Sequence, residues 1–537
     1  DSFGAPSVYS GRSYFLLYWV AISMSKTIII IGAGLAGLSA ALQAAENGCN
    51  VKLVSSLPSE RAQSVMAEGG INAALNTKDE NDSPEEHFTD TIKAACGLAD
   101  PNAVWGMTQA APELVHWLLK LGVKFNMSGY DDVDLRNFGG QKKKRTAFAQ
   151  SDTGKQIMTA MIDAVRRKEA SGMVERFSHH SFLTLRLCGN ICCGCVIRDE
   201  YSQETVELPG DAVIVATGGM HGLFGNTTGS LSNTGEVTAE LFRLGVPLAN
   251  GEMIQYHPTT VKCGGKRMLI SEAARGEGGR LFAMKDGKQW YFMEEKYPEL
   301  GNLMPRDITA REIWKVSHES EVFLDMTEIS EEIISNKLSG LADDCMTYLH
   351  KDIRKEPVSV LPGIHYFMGG ILVDEQHRTP IQNLYAAGEC CAQYHGANRL
   401  GGNSLLGALY GGRVAAKSAC EQADVVDLSC ATQIDFPPAS QISEIKQLNK
   451  VMQETMGVVR NENTLLNGIQ TVQALTGNLP LLGMAVLKSA LARKESRGAH
   501  WREDYPKSND DDYLKTTVAR FDGKQIQISF VPVPERR

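Results

Sequence analysis

The clearest chemistry in this sequence begins with three glycines, Gly32, Gly34 and Gly37, spaced as Gly-x-Gly-x-x-Gly. That spacing suits a pyrophosphate. The first glycine permits a tight turn, the second lets backbone amides approach the phosphates, and the third lets a helix pack closely on a strand. The unpaired N–H groups at the helix N-terminus then face the phosphate charge. A glycine turn in an unrelated α/β protein can show the same spacing, so the flanking segments decide. Thr27 to Ile31 ahead of the motif is a continuous β-branched run, and an Ala/Leu-rich segment follows it as far as Asn47. Gly48 closes that helix and Asn50 to Val54 supplies a second strand. Such a strand usually ends in an acidic residue that holds a ribose hydroxyl, whereas here it ends in Ser55 and Ser56. By itself the motif suits FAD or NAD. A carboxylate far downstream, Glu389 after Gly388, can hold the hydroxyls of a flavin nucleotide.

The elements around these residues predict the frame. A strand buried on both faces, then a helix, then a second strand is a βαβ unit, which implies a parallel sheet with a right-handed crossover. Further sheet signals come at Ala212 to Ala216, ending in Thr217-Gly218-Gly219, and at Leu384 to Ala387, ending in Gly388-Glu389. Residues 251–363 break the rhythm with turns and short helices and read as an inserted domain. Beyond residue 425 the pattern turns helical and polar, with periodic segments at Ile445–Met456 and Leu465–Leu475. The expected architecture is therefore α/β. A Rossmann-like dinucleotide-binding domain takes residues 24–250 and 364–424, an α+β capping domain 251–363, and a C-terminal helical domain and tail 425–537. Residues 1–23 contain the short apolar stretch Tyr14 to Ile22 after Arg12, and read as an N-terminal extension ahead of Met24.

With 537 residues the chain is too long for one core, and its 43% hydrophobic content supplies apolar material for a large one. A net charge of −9 argues against nucleic acid as the main partner, since phosphate binding favours a clustered basic surface. No stretch is long and apolar enough to span a bilayer. Twelve cysteines, scattered and mostly flanked by apolar residues, imply reduced thiols and a reducing compartment. Cys188, Cys192, Cys193 and Cys195 lack the paired C-x-x-C spacing of a zinc or ferredoxin site, and Gly189-Asn190 among them reads as a hairpin turn. No metal site is expected. Lys142-Lys143-Lys144-Arg145 reads as a solvated face, and Asp510-Asp511-Asp512 as a solvated turn.

Five further segments are specific. They are Gln255-Tyr256-His257-Pro258-Thr259, Ser271 to Gly279 (SEAARGEGG), Pro305-Arg306-Asp307, His365 to Gly370 (HYFMGG) and His395 to Leu405 (HGANRLGGNSL). Together, and in this order, they resemble the flavoprotein subunits of succinate dehydrogenase and fumarate reductase and their relative L-aspartate oxidase. The likeness runs from about residue 24 to Glu495-Ser496-Arg497-Gly498-Ala499-His500. It implies an FAD-dependent enzyme that interconverts fumarate and succinate. His257, Ser271, His365 and Arg399 would surround the substrate carboxylates, the arginine gripping one through two parallel bonds. Histidines beside a dianion are biased towards the charged form. For the reductive direction the resemblance implies hydride transfer from flavin N5 and a proton from Arg306, with Glu272 and Arg275 as the relay behind it. On the cofactor side it implies contacts from Gly32, Gly34, Gly37, Ser55, Ser64, Gly69, Gly70, Thr217, Gly218, Glu236, Glu389, Asn403, Ser404 and Leu405. Phe138 matches a family segment near the substrate, and core packing explains it nearly as well.

The sequence departs from the family at one position. Members in membrane complexes attach FAD through a histidine, and Gln63 stands in its place within Ala62 to Gly70. FAD is therefore expected to bind non-covalently, which favours a reductase. His87 is too far along the sequence to take over that role. Electrons are expected from an iron–sulfur partner subunit or a soluble donor. The expected location is the cytoplasm, or the cytoplasmic face of a membrane through partner subunits. L-Aspartate oxidase and a reductase of another unsaturated acid are the neighbouring alternatives. Arg399 to Ser404 (RLGGNS) resembles the reductase and dehydrogenase form more than the oxidase form. An electron-transfer flavoprotein subunit without catalysis is the alternative of another class, and the intact set His257, Glu272, Arg306, His365 and Arg399 counts against it.

Overall fold

The computed structural model describes residues 25–129, 132–424, 434, 436 and 441–537. The expected N-terminal extension lies outside them. At the centre is a parallel sheet of β1 (Thr27–Ile31), β2 (Asn50–Ser55), β3 (Val174–Ser178), β4 (Ala212–Val215) and β5 (Leu384–Ala386), in the order β5-β4-β1-β2-β3. Ile28, Ile29 and Ile30 of β1 are 0% exposed, which explains the unbroken β-branched run: both faces of this strand are covered. The sheet is completed from far along the chain, since β5 pairs with β4 through Val213 and Leu384. The loops that carry chemistry follow the carboxyl ends of these strands.

Three helices position the chemistry: α1 (Leu35–Glu46), α2 (Arg306–Val316) and α3 (Asn403–Gln422). The first and third pack tightly. A side chain at Gly412 would place its Cβ 2.3 Å from the Ala36 carbonyl oxygen, and the Ser39 hydroxyl donates to the Leu409 carbonyl at 2.7 Å.

The inserted region has its own core, built on two antiparallel sheets. One joins Ile254–Cys263 to Lys266–Leu269 and Leu361–Phe367; the other joins Arg280–Lys285 to Lys288–Trp290 and Val322–Asp325. In the C-terminal region the helices run over Ile442–Thr455, Glu462–Val472 and Asn478–Ala492. The two expected segments begin three residues earlier than the apolar periodicity suggests. For the second, the cause is a capping box in which Asn461 and Thr464 satisfy each other's backbone N–H groups.

Three expectations change. The C-terminal region is not helical throughout: Lys515–Phe521 and Ile526–Pro532 form a hairpin that pairs with Leu248–Ala249 and extends a five-stranded sheet. Arg145 is not on a solvated face with its lysine neighbours. It is completely buried, and Asp82 and Asp90 each lie 2.9 Å from its Nη2, because a guanidinium leaves water only where carboxylates replace it. The thiols are not uniformly reduced. Ten described cysteines are free, most of them buried, but Cys188 is in a disulfide. The hairpin at Gly189-Asn190 is present, between His180–Cys188 and Ile191–Asp199. The acidic run Asp510 to Asp512 forms a short helical turn at the surface. Among the described residues no helix is long and apolar enough to cross a membrane.

Candidate functional site

The cofactor end is built from backbone. Gly32 has φ +109°, and a Cβ there would lie 2.3 Å from the Ala216 carbonyl oxygen; a Cβ on Gly37 would lie 1.8 Å from the Gly32 carbonyl oxygen. Both glycines are required by the fold itself. Gly34 is different, because its nearest neighbours would be Ser64 Oγ at 3.6 Å and Ala62 Cβ at 3.8 Å, ordinary contacts. The protein has room for a side chain at Gly34, so the glycine there serves something that must approach the backbone. Gly34 also caps α1 with no side chain of its own, and the first turn takes a bond from outside the helix through Leu35 N–H to Ser64 Oγ at 3.2 Å.

Other expected cofactor residues gather at the same ends of the strands. Ser55 closes β2 with a buried hydroxyl that has no partner among the described residues. Thr217 and Gly218 follow β4, and Gly388 and Glu389 follow β5. The Glu389 carboxylate accepts the Phe367 N–H at 3.0 Å. Asn403, Ser404 and Leu405 form the first turn of α3, which Gly402 begins at φ +84° without a side-chain cap. Asn403 is buried; its Oδ1 lies 2.9 Å from His87 Nε2 and accepts Asn72 Nδ2 at 2.7 Å. Gly69 and Gly70 are explained by packing against Phe138 and the Ala147 carbonyl. Glu236 is exposed at the start of Glu236–Arg243, where its N–H donates to Thr234 Oγ1 at 3.2 Å. A dinucleotide thus fits the groups present: free N–H donors at helix N-termini, a hydroxyl on Ser55 at the end of β2 and a carboxylate acceptor at Glu389.

The second cluster is cationic. Strand Ile254–Cys263 presents Gln255 and His257 two residues apart, and the following turn delivers Ser271, whose hydroxyl caps the short helix Glu272–Gly276. Thr259 Oγ1 donates to the Ile270 carbonyl at 2.9 Å and ties this turn to the strand. Arg306 opens α2, with Pro305 fixing the chain ahead of it. Its Nε and Nη2 donate to Glu272 Oε2 at 2.8 and 2.6 Å, and its Nη1 donates to Gln255 Oε1 at 3.1 Å. The other oxygen of Glu272 accepts the Gly139 N–H at 3.1 Å and lies 3.4 Å from Arg275 Nη2. Gln255 turns its amide to the Arg399 carbonyl at 2.8 Å, which links the capping strand to the loop before α3. His365, on the neighbouring strand, meets His257 edge to face at 5.1 Å and is held through Nδ1 by Thr228 Oγ1 at 2.8 Å. Arg399 lies 4.3 Å above the Tyr366 ring.

This cluster is short of negative charge. Three guanidinium groups, Arg275, Arg306 and Arg399, are buried here; the first two meet the carboxylate of Glu272, and Arg399 feels those of Glu389 and Glu272. Burial alone would raise that carboxyl, but Arg306 and Arg275 outweigh it and hold Glu272 below its usual range. Burial and repulsion from Arg306 pull Arg399 down to about 9. His257 and His365 are pushed well below the ordinary histidine value, first by burial and then by Arg306, so both are neutral here. His257 Nε2 and Arg399 Nε are buried without hydrogen-bond partners among the described residues. Buried polar groups left unpaired cost free energy, and a bound anion would satisfy both.

The seven expected catalytic residues are therefore brought to one place. Sequence reasoning did not assign Gln255 or Thr228 a role, and it met Gly139 only within the segment Phe138-Gly139-Gly140. Gln255 had a signal, since it lies two residues from His257 on one strand. Thr228 had none, being remote in sequence from His365. Phe138 is 2% exposed and packs with the capping core, which favours the packing reading. Gln63 Oε1 accepts the Ser230 N–H.

Residues 27–405 match the family model described as FAD binding domain, and residues 475–536 match that described as fumarate reductase flavoprotein C-term. The chain is 38% identical to the succinate dehydrogenase flavoprotein subunit of Bacillus subtilis, over 95% of this chain and 98% of that one. It is 32% identical to the 8-methylmenaquinol:fumarate reductase flavoprotein subunit of Wolinella succinogenes, over 96% and 92%. Among solved structures, the flavoprotein of Escherichia coli quinol fumarate reductase superposes with a TM-score of 0.86 at 27% identity, covering 95% of this chain and 97% of that chain.

The difference between Gly34 and Gly37 is testable. Gly34→Ala should leave the thermal unfolding midpoint of the apoprotein unchanged and weaken FAD binding at least about tenfold, read by flavin fluorescence. Gly37→Ala should lower the midpoint itself. Unchanged FAD affinity in Gly34→Ala would remove the cofactor from this loop.

Proposed function

The chain belongs to the succinate dehydrogenase and fumarate reductase flavoprotein family, an FAD-dependent oxidoreductase family, and we propose that it works as a fumarate reductase flavoprotein subunit. The observation that carries the substrate assignment is the pair of buried nitrogens left without partners among the described residues, His257 Nε2 and Arg399 Nε, among three buried guanidiniums of which only two meet Glu272. A dicarboxylate supplies negative charge to these cations and partners for the two free nitrogens.

FAD, when bound, supplies the hydride that adds to one alkene carbon. The chain's own residues do the rest. Arg399 clamps one carboxylate from the α3 side of the site, and His257, Ser271 and His365 hold the dianion from the capping side. Arg306 gives a proton to the neighbouring carbon. Its guanidinium is fixed at three nitrogens by Glu272 and Gln255, so its orientation is set before substrate arrives. Glu272, ionised at rest, then takes up a replacement proton from the side of Arg275, 3.4 Å away, and passes it to Arg306, which regains its charge. The burial of the whole cluster keeps water from the reacting carbons. Direction is inferred from Gln63: without a histidine there, FAD binds non-covalently, and a flavin without that bond is the poorer oxidant of succinate. The relatives are named as subunits, which supports an iron–sulfur electron-transfer subunit as this chain's partner. Location in the cytoplasm, or on a membrane's cytoplasmic face through that partner, follows from the same reading.

The deciding assay is anaerobic oxidation of reduced methyl viologen by the FAD-loaded chain with fumarate, alongside aspartate oxidation with oxygen. Fumarate turnover without aspartate turnover is expected; the reverse would make the chain an L-aspartate oxidase. In Arg306→Ala, FAD should stay bound while fumarate reduction falls by about 10³-fold or more. Activity within about tenfold of the parent would exclude Arg306 as the acid. Binding should also take up protons. The two histidines are neutral when free and gain charge beside the dianion, so affinity should weaken as pH rises through neutrality, by about tenfold per unit for each proton. Calorimetry in buffers of different ionisation enthalpy measures this uptake, and zero uptake would mean neutral histidines in the complex. Finally, acid precipitation should release all the flavin, and yellow colour retained in the pellet would reveal a covalent bond.

A further inference from the structure

Away from the site, α1 and α3 converge at their C-terminal ends on two thiols. Cys49 follows α1 after a short turn, and Cys420 lies in the last turn of α3. Their sulfurs are 2.9 Å apart, in hydrogen-bond contact, although 371 residues separate them in the chain. Cys49 is 6% exposed. Cys420 is half-buried and lines a surface cleft of about 630 Å³ with Gln43, Asn47, Lys417 and Glu421. Lys26 donates to the Cys420 carbonyl at 2.8 Å. The hydrogen bond between the sulfurs lowers the Cys49 thiol and, with burial, raises that of Cys420; the Lys26 charge lowers both, and Asp211 opposes it at Cys49. The close packing at Gly412 and Ser39 holds the helices in register, so the sulfurs meet in a fixed place.

A buried structural cysteine needs neither a partner sulfur nor an open cleft. This pair has both, together with a cation. We propose that Cys49 and Cys420 form a dithiol site that reacts with a low-molecular-weight disulfide and closes into an intramolecular disulfide tying α1 to α3. The Cys420 thiolate, facing the cleft, attacks one sulfur of the small disulfide, forms a mixed disulfide and expels one thiolate. Cys49 then attacks the Cys420 sulfur, forms the Cys49–Cys420 bond and expels the second thiolate. The expelled thiolates carry away the two protons of the pair, so two thiols are oxidised by two electrons and one disulfide is reduced to two thiols. The sulfurs need to close from 2.9 Å to the roughly 2.05 Å of a disulfide, a movement within side-chain adjustment. The N-terminal ends of the same two helices carry Gly34 and Asn403, so the tie joins the elements that frame the dinucleotide.

The test uses the FAD-loaded chain in glutathione buffers running from fully reduced to mostly disulfide. Samples are quenched in acid, alkylated under denaturing conditions, digested without reduction and mapped by mass spectrometry. Alkylation at Cys49 and Cys420 should disappear together as the disulfide share rises. A cross-linked peptide pair about 2 Da lighter than its two free peptides should replace them. Cys49→Ser should instead carry glutathione on Cys420, and Cys420→Ser should leave Cys49 fully alkylated. Full alkylation of both cysteines at every ratio, or stable glutathione on Cys420 of the parent chain with Cys49 free, would overturn the proposal. The parent map decides the matter even if a variant fails to fold.

Discussion

The interaction on which the site depends is the burial of Glu272 between Arg306, Arg275 and the Gly139 N–H. A carboxylate at 2% exposure is costly unless its lone pairs are met, and here donors from three separate segments meet them. The reverse also holds: two guanidiniums can be buried side by side because one carboxylate stands between them. Glycine at 139 and 401 makes this possible. A Cβ at either would come within 2.6 or 2.9 Å of a Glu272 oxygen. The smallest residues are therefore placed where the most expensive group needs room, and the phosphate loop follows the same logic at Gly34.

The cluster also explains why two domains are needed. Glu272, Arg275, Arg306 and His257 come from the capping region and His365 from the strand that leads out of it, whereas Arg399 comes from the loop that leads into α3 of the dinucleotide-binding domain. Gln255 bridges them by accepting from Arg306 and donating to the Arg399 carbonyl. The cationic residues thus come together at the seam, from segments on both sides of it. The neutral state of His257 and His365 belongs to the same balance: in a pocket already rich in cations, two more charges appear only when an anion brings compensation.

Much of this was legible in the sequence, and the physical reasons differ by element. The βαβ unit could be read because a strand buried on both faces leaves a β-branched run, and because Gly32 and Gly37 sit where any Cβ would strike backbone. The cationic residues could be located because they lie in glycine-rich segments whose order is distinctive. Arg145 misled because three exposed or half-buried lysines precede it, and composition does not show that Asp82 and Asp90 turn towards it. The C-terminal hairpin escaped a helical reading of the region, although Asp522-Gly523 is a strong turn signal between alternating segments. Its strands find their partner at Leu248–Ala249, far back in the chain, which no local pattern shows. Contacts such as Thr228 to His365 are long-range for the same reason.

The C-terminal region, distant in sequence from every catalytic candidate, still sets where they stand. Arg493 is completely buried and donates to Glu252 at 2.7 Å and to Glu495 at 2.8 Å. Arg460 donates to the Glu252 carbonyl at 2.7 Å and contacts His500 at 2.9 Å. Glu252 lies three residues before Gln255, at the root of the strand that carries His257. On the other side of the site, the Ala499 N–H donates to the Ala397 carbonyl at 2.9 Å, two residues before Arg399. One segment, residues 493–500, therefore anchors both the strand that carries His257 and the loop that carries Arg399. A buried ion network is weak support for stability, since apolar packing often does as well. It is a stricter device for position, because each guanidinium bond has a direction and few alternative geometries satisfy all of them. The second charge cluster thus fixes the frame in which the first, around Glu272, is held.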